Sequence, residues 1–187
     1  MSANLRRYVR SLYTLDAVVR RVPDDAWDAA SPCDEWNARQ VLGHVMWGLD
    51  AIAAGASGEA PPGERDEADV AGERPLEHWS AALDRVLTAL DQQGVLQTKA
   101  QTPFGEMPID DMLGFFFGDP LMHTWDIAVA VGVEHGIPDE LAEHSMVMLG
   151  AAGDALRGPG RLGAEVEAPP GTDAATRMAA FGGRAVS

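Results

Sequence analysis

Apolar residues that recur at steps of three and four positions constrain this sequence most strongly. Between residues 5 and 21 they are Leu5, Tyr8, Val9, Leu12, Leu15, Val18 and Val19, and a second stripe is Trp79, Leu83, Val86, Leu87 and Leu90. Side chains at this spacing lie on one face of an α-helix. The alternating pattern of strands is not sustained anywhere in the chain. The sequence therefore predicts an all-α fold.

Proline, glycine and capping residues place the helix ends. Asn37 with Gln40 has the spacing of a capping box, and Pro75 can open a helix in its first turn. Pro120 predicts a kink or a break inside the fourth helix. The predicted helices are 5–21, 37–54, 75–94, 109–131, 139–156 and a short 173–181. The interruption at Pro120 lies within 109–131, and the helix 139–156 ends before Gly158-Pro159-Gly160.

The remaining segments read as connections. Residues 55–74 are rich in Gly, Pro and acidic residues, and we interpret them as a mobile surface loop whose role as a lid stays open. Residues 95–108 are irregular, with a turn near 102–108 and room for a short hairpin. We expect one domain over residues 1–187. Its four main helices, joined antiparallel, form a four-helix bundle with an additional C-terminal helix.

Charge and cysteine content exclude several classes of function. The formal net charge is −15, from 29 acidic and 14 basic residues, so neither a nucleic acid nor an anionic membrane is expected as a partner. A single cysteine, Cys33, fits a cytoplasmic protein without an intrachain disulfide. The N-terminus lacks the apolar run of a signal peptide. The expected partner is a small-molecule substrate, and a homodimer remains open.

Asp119 and His123 place a carboxylate and an imidazole four residues apart, and the flanking positions on the same face, Phe116 and Ile127, are apolar. Residues i and i+4 share a helix face, so both side chains can reach one cation. His44 lies in an equally apolar helix. Two histidines with one carboxylate are a common ligand set for catalytic zinc and for open iron or nickel sites. The sequence therefore predicts a metal site at His44, Asp119 and His123.

Each of these residues also has a simpler interpretation. Asp119 precedes Pro120, an ideal pair for starting a helix, so its carboxylate can instead cap the backbone. His44 or His123 taken alone resembles an ordinary buried histidine. The other histidines, His78, His135 and His144, are expected at the surface and not as ligands.

Two neighbouring residues are interpreted structurally. Asp126 is expected on a different helix face from His123 and is interpreted as an anchor for a neighbouring helix or loop. Cys33 is interpreted as a buried thiol, because Asp34 and Glu35 supply the opposite of the electropositive setting that a nucleophilic cysteine needs.

Three motifs together resemble the DinB-like superfamily. The run SPCDEWNARQVLGH, which ends at His44, is similar to the family's second-helix signature, and DPLMHTWDIAVAVG, residues 119–132, resembles its acidic-x-x-x-His signature. The tail RMAAFGGR, residues 177–184, is similar to the family's C-terminal end. The branch that the chain resembles most contains actinobacterial metal-binding proteins related to the N-terminal domain of mycothiol-dependent maleylpyruvate isomerase.

The resemblance implies a four-helix bundle with a divalent metal on His44, Asp119 and His123. Zinc is the first choice, with nickel or iron as alternatives, and a thiol such as mycothiol is the implied co-substrate. The expected function is a metal-dependent enzyme that joins this thiol to a small electrophile. Alternatives are a non-catalytic or stress-related metal-binding module and a metal-dependent hydrolase or biosynthetic enzyme. The isomerase has glutamate where this chain has Asp119, and an additional C-terminal domain, so its activity is not expected here.

Overall fold

Helices dominate the computed structural model, which describes residues 1–33, 36–63, 65–102, 105–158 and 161–186. The helices are α1 Ala3–Val19, α2 Ala38–Ala56, α3 Glu67–Ala71, α4 Pro75–Leu90, α5 Ile109–Phe116, α6 Gly118–Val131, α7 Asp139–Ala152 and α8 Ala174–Phe181. Strands β1 Lys99–Thr102 and β2 Gly105–Pro108 form an antiparallel hairpin. The predicted all-α class and the short hairpin are confirmed.

Some predicted features fall outside the described residues. They are Pro103 and Phe104, which belong to the turn predicted near 102–108, and Pro159 and Gly160, which belong to the break predicted after the fifth helix. In the described ranges, no helix combines the length and the apolar character needed to cross a membrane.

The start of α2 confirms the predicted capping box. The backbone N–H of Gln40 donates to the side chain of Asn37 at 2.9 Å, and the Gln40 side chain accepts from the Asn37 N–H at 3.0 Å. These two bonds satisfy donors that a helix start otherwise leaves unpaired. The register of α2, and with it the face on which His44 lies, is therefore fixed at the first turn.

The fourth predicted helix is two helices. Its first part, α5, ends at Phe116, and α6 begins at Gly118. The cause is Pro120, which has no N–H to donate to the carbonyl of Phe116 and whose ring would clash with that carbonyl. The break gives the segment that carries Asp119 and His123 a direction independent of α5.

The bundle is formed by α1, α2, α4 and the α5–α6 pair, with α7 and α8 packed together beside α6. Its centre is apolar and includes Leu12, Leu42, Trp79 and Leu121, all with almost no exposed surface. The expected antiparallel joining fails for α2 and α4. Arg39 near the start of α2 contacts Gly72 just before α4, and Asp50 later in α2 pairs with Arg85. These two helices therefore run in the same direction.

A short helix, α3, lies in the segment 55–74 that was predicted as a loop. Asp66 caps it by accepting from the Ala68 N–H at 2.8 Å, and Ala71 is fully buried. The helix packs on α2 where Gly43 leaves room: a Cβ built on Gly43 would lie 1.8 Å from the carbonyl oxygen of Glu67. Sequence spacing missed α3 because it is only five residues long.

Candidate metal site

Helices α2 and α6 bring the three predicted ligand residues together. Oδ1 of Asp119 lies 3.7 Å from Nε2 of His44 and 3.6 Å from Nε2 of His123. The two imidazole rings meet edge to face, with centroids 5.0 Å apart. The donor atoms of the three side chains all lie within 4.8 Å of one another. The expected convergence of one carboxylate and two histidines is therefore present in the fold.

The capping interpretation of Asp119 is wrong. Helix α6 begins at Gly118, and the residue in the N-cap position is Phe117, which has no capping side chain. Asp119 is the second residue of the helix, and its carboxylate faces the two histidines. Its side chain is 42% exposed, whereas that of His123 is only 7% exposed. The site thus has one closed side, at His123, and one side open to solvent.

Asp126 contacts His123 directly, which corrects the expectation that it faces elsewhere. Its Oδ2 lies 2.9 Å from Nδ1 of His123, one turn earlier on α6, and the residue is fully buried. The carboxylate accepts a hydrogen bond from Nδ1–H of His123, because an ionised carboxylate has lone pairs and no proton to donate. Nε2 of His123 is thereby the nitrogen left to face Asp119.

Arg184 completes this buried network from the C-terminal tail. Its Nε and Nη2 donate to Oδ1 and Oδ2 of Asp126 at 3.1 and 2.8 Å. Such a two-pronged contact between guanidinium and carboxylate is strong and directional. The role of Asp126 as an anchor for another element is therefore also present, in addition to its contact with His123. The sequence offered no local signal for this pairing.

Cys33 and Trp36, in the turn before α2, lie beside the site. Sγ of Cys33 accepts a hydrogen bond from Nη2 of Arg184 at 3.4 Å, and Cys33 is only partly buried. The predicted buried thiol is therefore only half-buried, and it has a cationic neighbour. Asp34 and Glu35, from which the opposite charge was expected, lie outside the described part of the chain. The Trp36 ring lies 4.9 Å from that of His44, measured between centroids.

Electrostatics in the site are set by burial and by these pairings. Burial opposes charge on His123, but Asp119 and Asp126 outweigh it and raise its pKa to about 9. Burial likewise opposes ionisation of Asp119, yet His123 and His44 hold its pKa far below the usual range. Burial and the charge of Asp119 both raise the pKa of Tyr8, so its phenol stays protonated.

The donor set fits a divalent metal ion such as zinc. Zinc–nitrogen and zinc–oxygen bonds of about 2.0–2.2 Å at tetrahedral angles place donor atoms roughly 3.3–3.5 Å apart. The two distances that involve Asp119, 3.6 and 3.7 Å, exceed this spacing by a few tenths of an ångström. The contact between His123 and Asp126 is of the kind that orients metal-bound histidines. These three residues therefore suit an ion that keeps further coordination positions open.

A second cluster in the described part of the chain is a weaker candidate for a metal. Donor atoms of Cys33, His123 and Asp126 also lie within 4.8 Å of one another. The guanidinium of Arg184 already donates to both Cys33 and Asp126. The cluster therefore already contains a cation, and the positive charge of Arg184 would repel a metal ion at the same place.

The other three histidines make contacts of a different kind. His78 is exposed on α4, as predicted. Half-buried His135 accepts from the Ile137 N–H at 3.0 Å and lies 3.3 Å from a carboxylate oxygen of Asp173. His144 packs its ring against Phe117, with centroids 5.4 Å apart. The last two are therefore less exposed than predicted.

Comparison with known proteins identifies the family. Residues 7–127 match the DinB superfamily, and the chain belongs to this superfamily. Two uncharacterized proteins of Mycobacterium tuberculosis, Rv0738 from strain H37Rv and MT0763 from strain CDC 1551, are 29% identical over 184 residues. These alignments cover 97% of this chain and 98% of each relative.

Solved structures with a similar fold include mycothiol-dependent maleylpyruvate isomerase and a histidine-to-alanine mutant of it. The TM-score is 0.61 for each at 15% sequence identity, with 79% of this chain and 67% of the isomerase chain covered. At this identity the likeness concerns the fold. The predicted DinB-like bundle is confirmed.

Proposed function

We propose that this protein binds a divalent metal ion through His44, Asp119 and His123. We further propose that it uses the ion to join a low-molecular-weight thiol to a small electrophilic molecule. The observation that carries the proposal is the meeting of one carboxylate oxygen with two imidazole Nε2 atoms at 3.6 and 3.7 Å. These donors come from two different helices, so their convergence depends on the tertiary fold.

The choice of metal follows from the donors. Two nitrogens and one oxygen suit zinc, and nickel or iron accept the same set. A bound divalent ion with an open position would stabilise the thiolate form of an incoming thiol, which is the nucleophilic form. The excess of acidic residues favours the approach of a cation.

The side chains around the donors have distinct tasks in this proposal. Asp126 accepts the Nδ1 proton of His123 and keeps Nε2 directed at Asp119. Trp36 places an apolar wall beside His44. The half-exposed side chain of Asp119 leaves a route from solvent, which a small molecule can use. The thiol part of the proposal is supported by the fold shared with an isomerase that depends on mycothiol.

Metal binding is tested on protein purified without a histidine tag, by metal analysis and by calorimetric titration with zinc and nickel. We expect about one equivalent per chain, because the three donors converge on one point. His44→Ala and His123→Ala should weaken binding by more than the ~10–100-fold typical of outer contacts. His78→Ala is the matched control, since His78 is exposed on α4. A wild-type protein that takes up neither metal would overturn the proposal.

The reaction is tested with mycothiol and 1-chloro-2,4-dinitrobenzene as probes. The thiol sulfur bonds to the ring carbon, chloride leaves, and the thiol proton goes to the buffer. We expect product formation that requires metal and is lost in His123→Ala but kept in His78→Ala. Metal binding without turnover of any thiol–electrophile pair would instead indicate a non-catalytic module. Release of a hydrolysis product without thiol consumption would indicate a hydrolase.

A further inference from the structure

We propose that Arg184 is a positioning residue of the metal site: it binds both carboxylate oxygens of Asp126 and thereby fixes the orientation of His123. This inference rests on the proposed function, and it adds a part of the chain beyond the residues that match the DinB family, which end at residue 127. The residues after that point then complete the site.

The two hydrogen bonds from Arg184 to Asp126 determine the plane of the Asp126 carboxylate. A carboxylate bonded to one imidazole alone can rotate about its Cβ–Cγ bond, and the imidazole can follow it. Arg184 contacts both oxygens of Asp126, at 3.1 and 2.8 Å, and the planar guanidinium fork fits only one orientation of the carboxylate. Oδ2 of Asp126, which bonds Arg184, is also the oxygen 2.9 Å from Nδ1 of His123. The orientation therefore passes directly to the imidazole.

Burial makes this arrangement rigid and dependent on charge. Asp126 is fully buried, and Arg184 is 7% exposed. A buried carboxylate needs a cationic partner or several hydrogen bonds. Arg184 supplies both, so the carboxylate of Asp126 is held in one place and accepts from Nδ1 of His123 in one direction.

The tail that carries Arg184 is itself fixed. The Arg184 N–H donates to the carbonyl of Ala179 at 3.0 Å, and its Nη1 donates to that of Gly182 at 3.1 Å. Gly183 has φ +89°, and a Cβ there would lie 2.6 Å from the Cα of Gly163. This close backbone contact requires glycine and places the guanidinium over α6. The tail thus acts as a rigid support.

Arg184 also reaches the other side of the site. Its Nη2 donates to Sγ of Cys33 at 3.4 Å, in the turn that carries Trp36. Ser31 holds the same turn by donating to the Trp36 carbonyl at 2.8 Å. The Trp36 ring then lies against His44. The guanidinium of Arg184 therefore connects α6 with the turn whose Trp36 packs against His44.

The test is a double-mutant cycle of Arg184→Gln and Asp126→Asn. Metal affinity is measured with cobalt(II) by absorption and chelator competition. Arg184→Gln should weaken cobalt binding by about 10-fold or more. If Arg184 acts through Asp126, adding Arg184→Gln to Asp126→Asn should change the affinity by less than about 2-fold, because coupled residues are not additive. Arg177→Gln, an exposed arginine on α8, is the matched control and should leave the affinity unchanged.

A second readout separates orientation from mere folding. In nitrogen-15 histidine-labelled protein with zinc, the proton on Nδ1 of His123 should give a slowly exchanging signal. Arg184→Lys keeps the charge and loses the fork, so it should preserve the fold even if Arg184→Gln fails to fold. In the Arg184→Lys protein the Nδ1 signal of His123 should broaden or shift. This protein should bind cobalt more weakly than wild type, but more tightly than any folded Arg184→Gln protein.

The outcomes are distinct from those of the proposed function. A folded Arg184→Lys protein with wild-type affinity and an unchanged Nδ1 signal would overturn the inference, as would fully additive effects in the cycle. A wild-type protein that binds no metal would overturn the proposed function and this inference with it. Wild-type binding with unaffected variants would overturn the inference alone.

Discussion

His123 and Asp126, one turn apart on α6, are joined by a 2.9 Å contact between Nδ1 and a carboxylate oxygen. The contact assigns the two imidazole nitrogens different tasks, since Nδ1 keeps its proton while Nε2 is free to exchange a proton for a metal ion. Without metal, Nε2 faces the Asp119 carboxylate at 3.6 Å. The pair therefore predicts how the site responds to pH.

Metal binding should release one proton near neutral pH. The pKa of His123 is raised to about 9, so at pH 7 the metal-free protein holds a proton on Nε2 that the metal must displace. Apparent zinc affinity should fall about tenfold per pH unit below pH 9. Calorimetry at pH 7 in buffers of different ionisation enthalpy measures the number of protons released. Binding that is independent of pH between 7 and 9 would contradict this prediction.

The metal-free protein should lose stability as the pH rises from about 6.5 to about 9. The pKa of His123 is about 9 in the folded state and near 6.5 when unfolded, so its contribution is complete below 6.5 and lost through 9. We expect the free energy of unfolding to fall by on the order of 1–3 kcal/mol across this window. Urea denaturation at several pH values measures it.

Two controls belong to the stability measurement. His123→Gln should abolish the decline, because no group with a raised pKa remains at that position. Saturating zinc should also flatten the profile in wild type. A decline that persists unchanged in His123→Gln would assign it to another group.

Asp119→Asn should weaken metal binding by about 10-fold or more, because an amide oxygen carries no charge for the ion. A helix-capping role would instead leave the affinity unchanged, since asparagine caps as well as aspartate. The matched control is Asp111→Asn, which changes another acidic residue in the first turn of a helix, here α5. Competition with a chelating dye measures all three affinities.

Nickel or cobalt should quench the fluorescence of Trp36. Its ring centroid lies 4.9 Å from that of His44 and 6.2 Å from that of His123, a range at which an open-shell ion deactivates an excited indole efficiently. Zinc, with a filled d shell, should bind without comparable quenching and should reverse the nickel effect by competition. Trp36→Phe should lose most of the metal-dependent change. Equal quenching in Trp36→Phe would place the ion near another tryptophan.

Gly43→Ala should destabilise the protein and displace α3. A Cβ at this position would lie 1.8 Å from the Glu67 carbonyl oxygen, so one of the two helices must move, at a cost of about 1–3 kcal/mol. Gly48→Ala, on the same helix with no atom within 4 Å of the new Cβ, should instead stabilise by roughly 0.5–1 kcal/mol. Thermal unfolding of both variants gives the comparison.

Local chemistry made much of the fold predictable. The capping box of Asn37 and Gln40, the break before Pro120 and the facing of Asp119 and His123 all depend on residues within four positions of one another. Such patterns are visible in sequence because one helix turn contains all the partners. The short α3 was missed because five residues show no periodicity, and the parallel course of α2 and α4 because helix spacing carries no information about direction.

The surroundings of the ligands could not be predicted in the same way. Arg184 reaches Asp126 across 58 positions and Cys33 across 151. No periodic pattern links residues so far apart, and only the packing of the tail on α6 brings them together. Asp126 is a different case: residues three positions apart are neighbours on a helix face, so its contact with His123 was open to prediction, and the assignment to another face was wrong.

The break at Phe117 has an electrostatic consequence for the neighbouring carboxylate. Because α6 starts anew at Gly118, Asp119 lies in its first turn, where the unpaired N–H groups give the helix a partial positive charge. An unbroken helix through this point would have placed the same carboxylate mid-helix, without that field. The dipole of α6 thus favours the anionic form of Asp119 even before a cation arrives. Pro120, three residues after the break, is the reason that a helix starts here.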